Sequence, residues 1–521
     1  MDRAICLRQV QEGKQWDMIV VGGGATGLGI AVDAASRGYK VLLLEKYDFA
    51  KSTSSRSTKL VHGGVRYLAN GDIKLVFSAL YERGLIFKNA PHLAREQSFL
   101  IPCYTTISKI KFLVGLKLYD WMAGRQRIGR SVFLNKSKTL EKLPTIKSKS
   151  LKGSIRYYDG QFDDARMAVN LAQTAVEHGG SVINYAAVTG LLEKNGQIIG
   201  VKFTDTETGH VYEASAKVVI NATGVFVDDI LKMASVNHKA LVRPSQGTHV
   251  VVDKKFLGGE DALMIPETSD GRVLFGVPWH GHVLLGTTDT PLDQHLAEPR
   301  PLPEEVTFIL DTAAQYMTSP PKREDILSVY AGMRPLAAKG DKDNGSTKEI
   351  SRDHKLIVDK KGLITITGGK WTTYRKMAEE TVDKAIKLVN LDPVVCRTKN
   401  LRVHGYERAD DNSTSHWKCY GKDREAINKL AAGTPELAGL LHPNHSYIKA
   451  EVVWAIENEM ARTIEDVLSR RIRLLMLNAK DSLECAPWVA KILKEKLNRS
   501  NDWEQKQLAE YAELAKNYFY N

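Results

Sequence analysis

The chain predicts an α/β fold: a discontinuous Rossmann-like dinucleotide-binding domain, an inserted mixed-sheet domain and a C-terminal helical domain. Three observations carry that reading. Residues 17–45 run Asp-Met-Ile-Val-Val, a glycine turn, a helical stretch and Val-Leu-Leu-Leu-Glu, which is strand, turn, helix, strand and acid in the order a nucleotide-binding unit needs. Buried-strand patterns return at 217–222 and 363–367, each leading into a glycine turn, so distant pieces complete one sheet. Residues 245–252, 272–277 and 282–286 alternate as strands of a separate sheet.

In the first unit Gly22, Gly24 and Gly27 fit G-x-G-x-x-G. Gly22 allows the tight turn, Gly24 lets backbone approach a pyrophosphate, and Gly27 lets the helix pack on the strand. The pyrophosphate then sits at the helix N-terminus, beside Ala25 and Thr26. Glu45, with Lys46 next to it, is positioned to accept hydrogen bonds from an adenosine ribose.

Further along, 52–68 is a loop rich in serine and glycine, and 73–87 has helical periodicity. Residues 153–159 and 181–185 read as strands flanking a helix at 163–178, and 188–203 as a hairpin around Asn195-Gly196. A helix follows Gly368-Gly369, over about 371–389. The expected organisation is one large region, 1–391. Its dinucleotide-binding pieces are about 14–100, 150–235 and 325–391, and its inserted pieces about 101–149 and 236–324. A polar linker at 392–423 and a helical domain at 424–521 follow.

The 521 residues are 43% hydrophobic and 26% charged, ordinary values for a globular protein with a large core. The net charge of +12 favours phosphate-bearing partners. The five cysteines are scattered without a C-x-x-C, which argues against a disulfide framework and against a zinc or iron–sulfur centre, so no metal is expected. No signal peptide or transit peptide is recognisable, and no apolar run is long enough to span a bilayer.

Six blocks in this order and spacing resemble one family. They are Thr-Ser-Ser-Arg-Ser-Thr-Lys-Leu-Val-His-Gly-Gly-Val-Arg-Tyr-Leu at 53–68, Gln-Gly-Thr-His at 246–249, Gly-Thr-Thr-Asp at 286–289, Gly-Met-Arg-Pro-Leu at 332–336, Thr-Gly-Gly-Lys-Trp-Thr-Thr-Tyr-Arg at 367–375 and Ile-Glu-Asp-Val-Leu-Ser-Arg-Arg at 464–471. Together they resemble the FAD-dependent, quinone-linked glycerol-3-phosphate dehydrogenases, over almost the whole chain. The resemblance implies a D-amino-acid-oxidase-like flavoprotein fold, non-covalent FAD, oxidation of sn-glycerol 3-phosphate to dihydroxyacetone phosphate, and electron transfer to a membrane quinone. It also implies docking on the inner face of a membrane. With no transit peptide recognised, the expected location is the cytoplasmic side of a bacterial cell membrane, and a homodimer is possible.

Beside that resemblance the residues make chemical sense. Ser54, Ser57 and Thr58 offer hydroxyls to a phosphate or ring, in a loop that continues through Leu60, His62, Gly63 and Gly64. Asn221-Ala222-Thr223-Gly224 resembles a second flavin-contact turn through Ala222, Thr223 and Gly224, and Val188 is a candidate cover for the adenine. Gly369, Lys370 and Thr372 bring another helix N-terminus inward, where its dipole favours negative charge on a reduced ring. A substrate with nearly two negative charges needs fixed cations. Arg66, Arg334 and Lys370 are the candidates, and Arg375 either joins them or faces solvent. Removal of the C2 hydroxyl proton suits a histidine. His249 is preferred over His62 as the base, and the resemblance implies that an arginine such as Arg334 assists. Tyr67 and Thr288 are candidates to hydrogen-bond substrate oxygens.

Residues 109–125 are apolar and basic. Leu113, Leu116, Tyr119 and Trp121 are candidates to enter a membrane interface while Lys109, Lys111 and Lys117 meet headgroups. A buried core helix is the equal alternative. Rival functions are a glycerol-3-phosphate oxidase releasing hydrogen peroxide, a nucleic-acid-binding flavoprotein such as a tRNA modifier, and an NAD-dependent dehydrogenase. The oxidases associated with this family carry an extra insertion in the substrate region, where this chain reads as compact, which leans against that rival without excluding it. No basic stripe interleaved with aromatics supports nucleic-acid binding.

Overall fold

The computed structural model describes residues 1–65, 68, 71–235, 237–269, 271–337, 354–408 and 415–520. Its organising strand is Trp16–Val21, almost wholly buried. An apolar run this continuous reads as a central parallel strand covered on both faces. It pairs in parallel with Val41–Leu44 on one side and Val211–Asn221 on the other. Ser181–Ile183 extends the sheet beyond Val41–Leu44, and Ile364–Thr367 beyond Val211–Asn221. Lys355–Val358 closes that edge antiparallel. The hairpin Ala186–Lys194 and Gln197–Asp205 continues antiparallel onto the first half of Val211–Asn221. The discontinuous sheet expected from sequence is thus present, with the helices Ala25–Ser36, Asp164–Glu177 and Tyr374–Leu388 packed together against it.

The second sheet is mixed. Its strands run Thr290–Pro291, Val242–Asp253, His282–Gly286, Leu274–Trp279, Ala262–Ile265, Ala94–Cys103, Gly153–Phe162 and Leu60–Val61. Ile326–Ala337 also pairs with Val242–Asp253, and Val132–Asn135 with Gly153–Phe162. This corrects the expected boundaries: Ala94–Cys103, Gly153–Phe162 and Ile326–Ala337 belong to the second sheet rather than to the dinucleotide-binding pieces. A strand buried on both faces shows the same residue pattern in either sheet, and its partners are non-local.

The helix Thr106–Ala123, capped by Thr105, packs on this sheet. Its orientation corrects the expected apolar face. Leu116 and Tyr119 are buried at 1% and 2% exposure, and Leu113 is half-buried. The outward stripe is instead Ile107, Ile110, Val114, Leu118 and Trp121, with Ile107 80% and Trp121 72% exposed. These positions recur every three or four residues, so they share one helix face. The neighbouring helix Ile73–Asn89 meets it through Val76 and Leu80, against Tyr119 and Met122, and exposes Ile73, Phe77 and Tyr81. Among the described residues no helix is long and apolar enough to cross a membrane.

Beyond residue 415 the chain is helical, as expected: Asp423–Gly433, Lys449–Asn458, a π-helical turn Asp466–Arg471, Ala479–Lys496 and Asn501–Ala515. Buried ion pairs join these helices to the sheets. Arg166 pairs with Glu459 at 2.7 Å, both side chains fully buried. Arg470 and Arg471 both hold Asp48, and Arg473 reaches Asp164 at 2.8 Å.

His404 bridges the same junction, contacting Glu177 and, at 2.8 Å, Asp423. Burial opposes its charge, but the hydrogen bonds to Asp423 and Glu177 outweigh burial and push the imidazole up to about 9. The folded state therefore holds this proton more tightly than the unfolded chain, whose histidine titrates near 6.5. The resulting stability is full below about 6.5 and is lost as pH rises through about 9. His404→Gln should lower the thermal midpoint more at pH 6 than at pH 9.5. Equal losses at both pH values would show that the bridge is not a titrating one.

Candidate active site

Two connected chambers lie at the carboxyl ends of the parallel strands. They measure about 310 and 320 Å³ and share Thr53, Pro335, Gly368, Gly369, Lys370 and Trp371. The first is lined by Gly22, Gly24, Ala25 and Thr26 from the glycine turn, and by Glu45 and Lys46 from the next strand end. Ser54, Val188, Ala222, Thr223 and Gly224 also line it. Gly22 has φ +109°, and a Cβ there would lie 2.8 Å from the Ala222 carbonyl oxygen, so only glycine fits the turn. Gly27 sits one turn into the helix, where a Cβ would strike the Gly22 carbonyl.

Gly24 caps the helix Ala25–Ser36 with no side chain in the capping position, and the Ala25 N–H donates to Ser54 Oγ at 2.9 Å. The helix N-terminus therefore faces the chamber as an anion-binding end. Glu45 is fixed by the N–H groups of Gly23 at 2.6 Å and Tyr47 at 2.8 Å. Burial pushes its carboxyl above the ordinary value, and those two hydrogen bonds act against the shift. A pinned carboxylate, a capless helix end and a close-packed glycine turn fit the adenosine and pyrophosphate of FAD. Where the chambers meet, Gly368 and Gly369 both take positive φ, and the Trp371 indole donates to the Ser54 carbonyl at 2.8 Å. This turn and the serine loop together form the cradle for a flat ring.

The second chamber gathers His249, Arg334, Lys370, Ser57, Thr58, Leu60, His62, Gly64 and Thr372. Arg334 lies opposite Ser245 in the sheet. Its guanidinium is fixed by Asp289 at 3.1 Å, Thr287 Oγ1 at 3.0 Å and the carbonyls of Gln246 and Thr288 at 3.2 and 2.9 Å. His249 stacks on Tyr330 with ring centroids 4.8 Å apart and contacts the Thr58 hydroxyl through Nε2 at 2.9 Å. Its buried Nδ1 has no hydrogen-bond partner among the described residues. Burial holds the imidazole well below its usual 6.5, with Lys59 and Arg334 adding to the effect. The ring is neutral at pH 7 and keeps a lone pair. Val65, Phe99, Met264, Val273 and Phe275 also line this chamber.

Several expected residues take other places. Thr288 is buried, accepts from the Thr248 N–H at 2.9 Å and donates to Glu305 at 2.7 Å, so it braces the sheet while Thr287 faces the chamber. Gly63 lines neither chamber. A Cβ there would strike Leu80 and the Tyr119 hydroxyl, so it serves packing. Arg375 neither joins the cations nor faces solvent: it is buried against Glu82 at 2.6 Å and Glu379 at 2.8 Å. Arg66 and Tyr67 lie outside the described residues. Sequence reasoning missed Lys59, fully buried between Asp164 and the Ser55 carbonyl. Burial, opposed by Asp164 and reinforced by Arg473, lowers it to about 7. Its signal was a lysine inside the serine block, read there only for hydroxyls.

Comparison with known proteins agrees with this geometry. A family model described as FAD dependent oxidoreductase matches residues 17–375, and one described as the C-terminal domain of alpha-glycerophosphate oxidase matches residues 364–507. The chain is 38% identical to mitochondrial glycerol-3-phosphate dehydrogenase of Rattus norvegicus, over 99% of this chain and 74% of that protein. It is 37% identical to the Arabidopsis thaliana mitochondrial enzyme of the same name, over 96% and 85%. The structure of glycerol-3-phosphate dehydrogenase from Bacillus halodurans complexed with FAD superposes with a TM-score of 0.81 at 29% identity, covering 99% of this chain and 97% of that one. L-alpha-glycerophosphate oxidase from Mycoplasma pneumoniae, at 17% identity and a TM-score of 0.57, shares the fold. With its glycine turn, pinned Glu45 and two-chambered cleft, the chain belongs to the FAD-dependent glycerol-3-phosphate dehydrogenase family.

Proposed function

We propose that the protein oxidises sn-glycerol 3-phosphate at C2 to dihydroxyacetone phosphate and passes the electrons to a membrane quinone. The observation that carries this reading is the mixed lining of the second chamber, where Arg334, Lys370 and the neutral His249 share the wall with Val65, Phe99, Met264, Val273 and Phe275. FAD, when bound, supplies the hydride acceptor, N5 of its ring. The Arg334 guanidinium, oriented by Asp289 and three neutral acceptors, sets a fixed positive charge in the wall that faces substrate oxygens. Lys370 adds a second cation at the wall both chambers share. His249 takes the C2 hydroxyl proton as the carbonyl forms, with Tyr330 and Thr58 fixing its plane. His62, in the same wall, supports the ring from the serine loop.

The quinone belongs to the apolar part. Leu116 of the helix Thr106–Ala123 sits in one core with Phe99, Tyr157 and Met264, and Phe112, Leu113 and Val65 pack against that core. The opposite face of this helix exposes Ile107, Ile110, Val114 and Trp121 beside Lys111 and Lys117. An apolar stripe flanked by lysines suits an anionic membrane interface, where each basic residue contributes roughly 1 kcal/mol. The same helix then connects the interface with the apolar side chains that line the chamber. Peripheral docking on the inner face of a membrane is part of this proposal.

Each part of it has its own test. Adding sn-glycerol 3-phosphate to the anaerobic holoenzyme should bleach the flavin absorbance, while glycerol and lactate leave it unchanged. Bleaching without oxygen uptake in air, until a quinone analogue is added, supports the quinone. Rapid oxygen uptake with peroxide release would make the protein an oxidase. Arg334→Ala should raise KM about 10- to 100-fold, the loss of a charge-assisted hydrogen bond of about 1.5–3 kcal/mol. His249→Asn should lower kcat about 10²- to 10⁴-fold at unchanged FAD content, and near-normal turnover would remove His249 from the role of base. Replacing Lys109, Lys111 and Lys117 with Glu, or Trp121 with Asp, should release the protein from anionic vesicles in a pelleting assay. Undiminished pelleting of both variants would place the docking surface elsewhere.

A further inference from the structure

The richest cluster of metal-ligating groups outside the chambers lies in the C-terminal helical domain. His442 and His445 occupy one tight turn, closed by the Leu441 N–H donating to the Tyr447 carbonyl at 2.8 Å and by pairing of Leu440 with Ile448. Asp481 is the third residue of the helix Ala479–Lys496, whose first turn is capped by Asn478. One ligand atom each from His442, His445 and Asp481 lies within 4.8 Å of the others. Asp481 Oδ2 is 2.8 Å from His445 Nε2 and 3.7 Å from His442 Nδ1. Tetrahedral zinc with bonds of about 2.0–2.1 Å separates its ligands by about 3.4 Å, between those two values. His442 and Asp481 are each 7% exposed.

The surroundings are also those of a metal site. His442 Nε2 contacts Glu484 at 3.1 Å, and Nδ1 accepts from the Asn444 N–H at 3.2 Å. A carboxylate thus steadies the far nitrogen, as outer-shell carboxylates do for ligating histidines, and a metal at Nδ1 would take the place of the Asn444 N–H. The His282 ring lies parallel to His445 at 6.2 Å, and its Nδ1 contacts the His280 carbonyl. The absence of a metal expected from sequence rested on cysteines, whereas these donors are imidazoles and a carboxylate, 36 positions apart in the chain for His445 and Asp481.

We propose that His442, His445 and Asp481 bind a zinc ion that staples the 441–447 turn to the helix Ala479–Lys496. The fourth position is left to water, with Glu484 orienting His442. Two nitrogens and one oxygen suit zinc, a borderline cation, better than magnesium or calcium, which take oxygen. The site faces the strand His282–Gly286 through His282, so the staple firms the seat of the helical domain on the second sheet. It touches neither chamber and adds no step to the oxidation.

The test uses the full-length holoenzyme, freed of metal with a chelator and titrated calorimetrically with Zn²⁺ alone, with Mg²⁺ as control. One saturable Zn²⁺ per chain and a higher thermal midpoint with Zn²⁺ are expected, with FAD content unchanged. His445→Ala and Asp481→Asn should abolish saturable binding and the thermal gain while keeping kcat and KM near parental values. Glu484→Gln should weaken binding about 10- to 100-fold. X-ray absorption of the zinc-loaded parent protein, which needs no variant to fold, should show two imidazole nitrogens and an oxygen-completed shell. No Zn²⁺ binding, a sulfur-containing shell, or undiminished binding in both ligand variants overturns the proposal.

Discussion

A buried charge must be paired, and in this protein that requirement ties the catalytic loop to the C-terminal domain. Asp164 is fully buried and receives Lys59, Arg473 and the hydroxyl and N–H of Ser57. Asp48, just beyond Glu45, receives Arg470 and Arg471. Glu465 and Glu298 meet on Lys51, and Glu298 also receives Arg56. Removing one partner from a buried pair costs about 3–5 kcal/mol, because the remaining charge stays in a low-dielectric setting. The loop of Ser54, Ser57 and Thr58 is therefore held by arginines that arrive some 400 residues later, at 470–473. Those arginines are structural parts of the FAD site although none of them lines either chamber.

The same network sets the chemistry of the second chamber. Lys59 is enclosed by Asp164 and by the Trp279 and Tyr330 rings, each 5.3 Å away. Tyr330 in turn stacks on His249, and Lys59 and Arg334 both oppose a proton on that ring. His249 is neutral because it is dry and because its neighbours are cationic, the two ways in which a protein lowers a histidine. A neutral imidazole and a cation beside it are two consequences of one arrangement of charge.

Local features of this arrangement were legible in the sequence and distant ones were not. The glycine turn, Glu45 and the strand that leads into Ala222 were readable because each depends on residues close in the chain. Arg334, Lys370 and His249 were readable as a set through blocks whose spacing repeats a family pattern, and the structure brings those three into one chamber. Thr288 was misassigned by one position: neighbouring residues on an extended chain point to opposite sides, and the block gives no register. Arg375 looked like an available cation because its partner Glu82 lies 293 positions away. The strands Ala94–Cys103, Gly153–Phe162 and Ile326–Ala337 carried the right secondary structure, but their sheet was decided by partners that periodicity does not reveal. The membrane-facing stripe was blurred because apolar residues nearly encircle the helix Thr106–Ala123, and only its packing against Val76 and Leu80 separates the faces.

The two halves of the proposed reaction place opposite demands on one cavity. A phosphorylated substrate needs cations that are already desolvated and oriented, since a charge entering a dry site without a partner is strongly disfavoured. A quinone needs an apolar wall with a route to lipid. Arg334 answers the first demand by carrying its own counter-ion, Asp289, and three neutral acceptors, so it is stable in the fold before any anion arrives. The second is met by apolar side chains of the same chamber, which share a core with the helix Thr106–Ala123. Polar and apolar functions therefore meet within one chamber, beside the turn of Gly368, Gly369 and Lys370 that both chambers share. A ring seated at that turn borders both kinds of side chain, which is what an electron carrier between a water-soluble donor and a lipid-soluble acceptor requires.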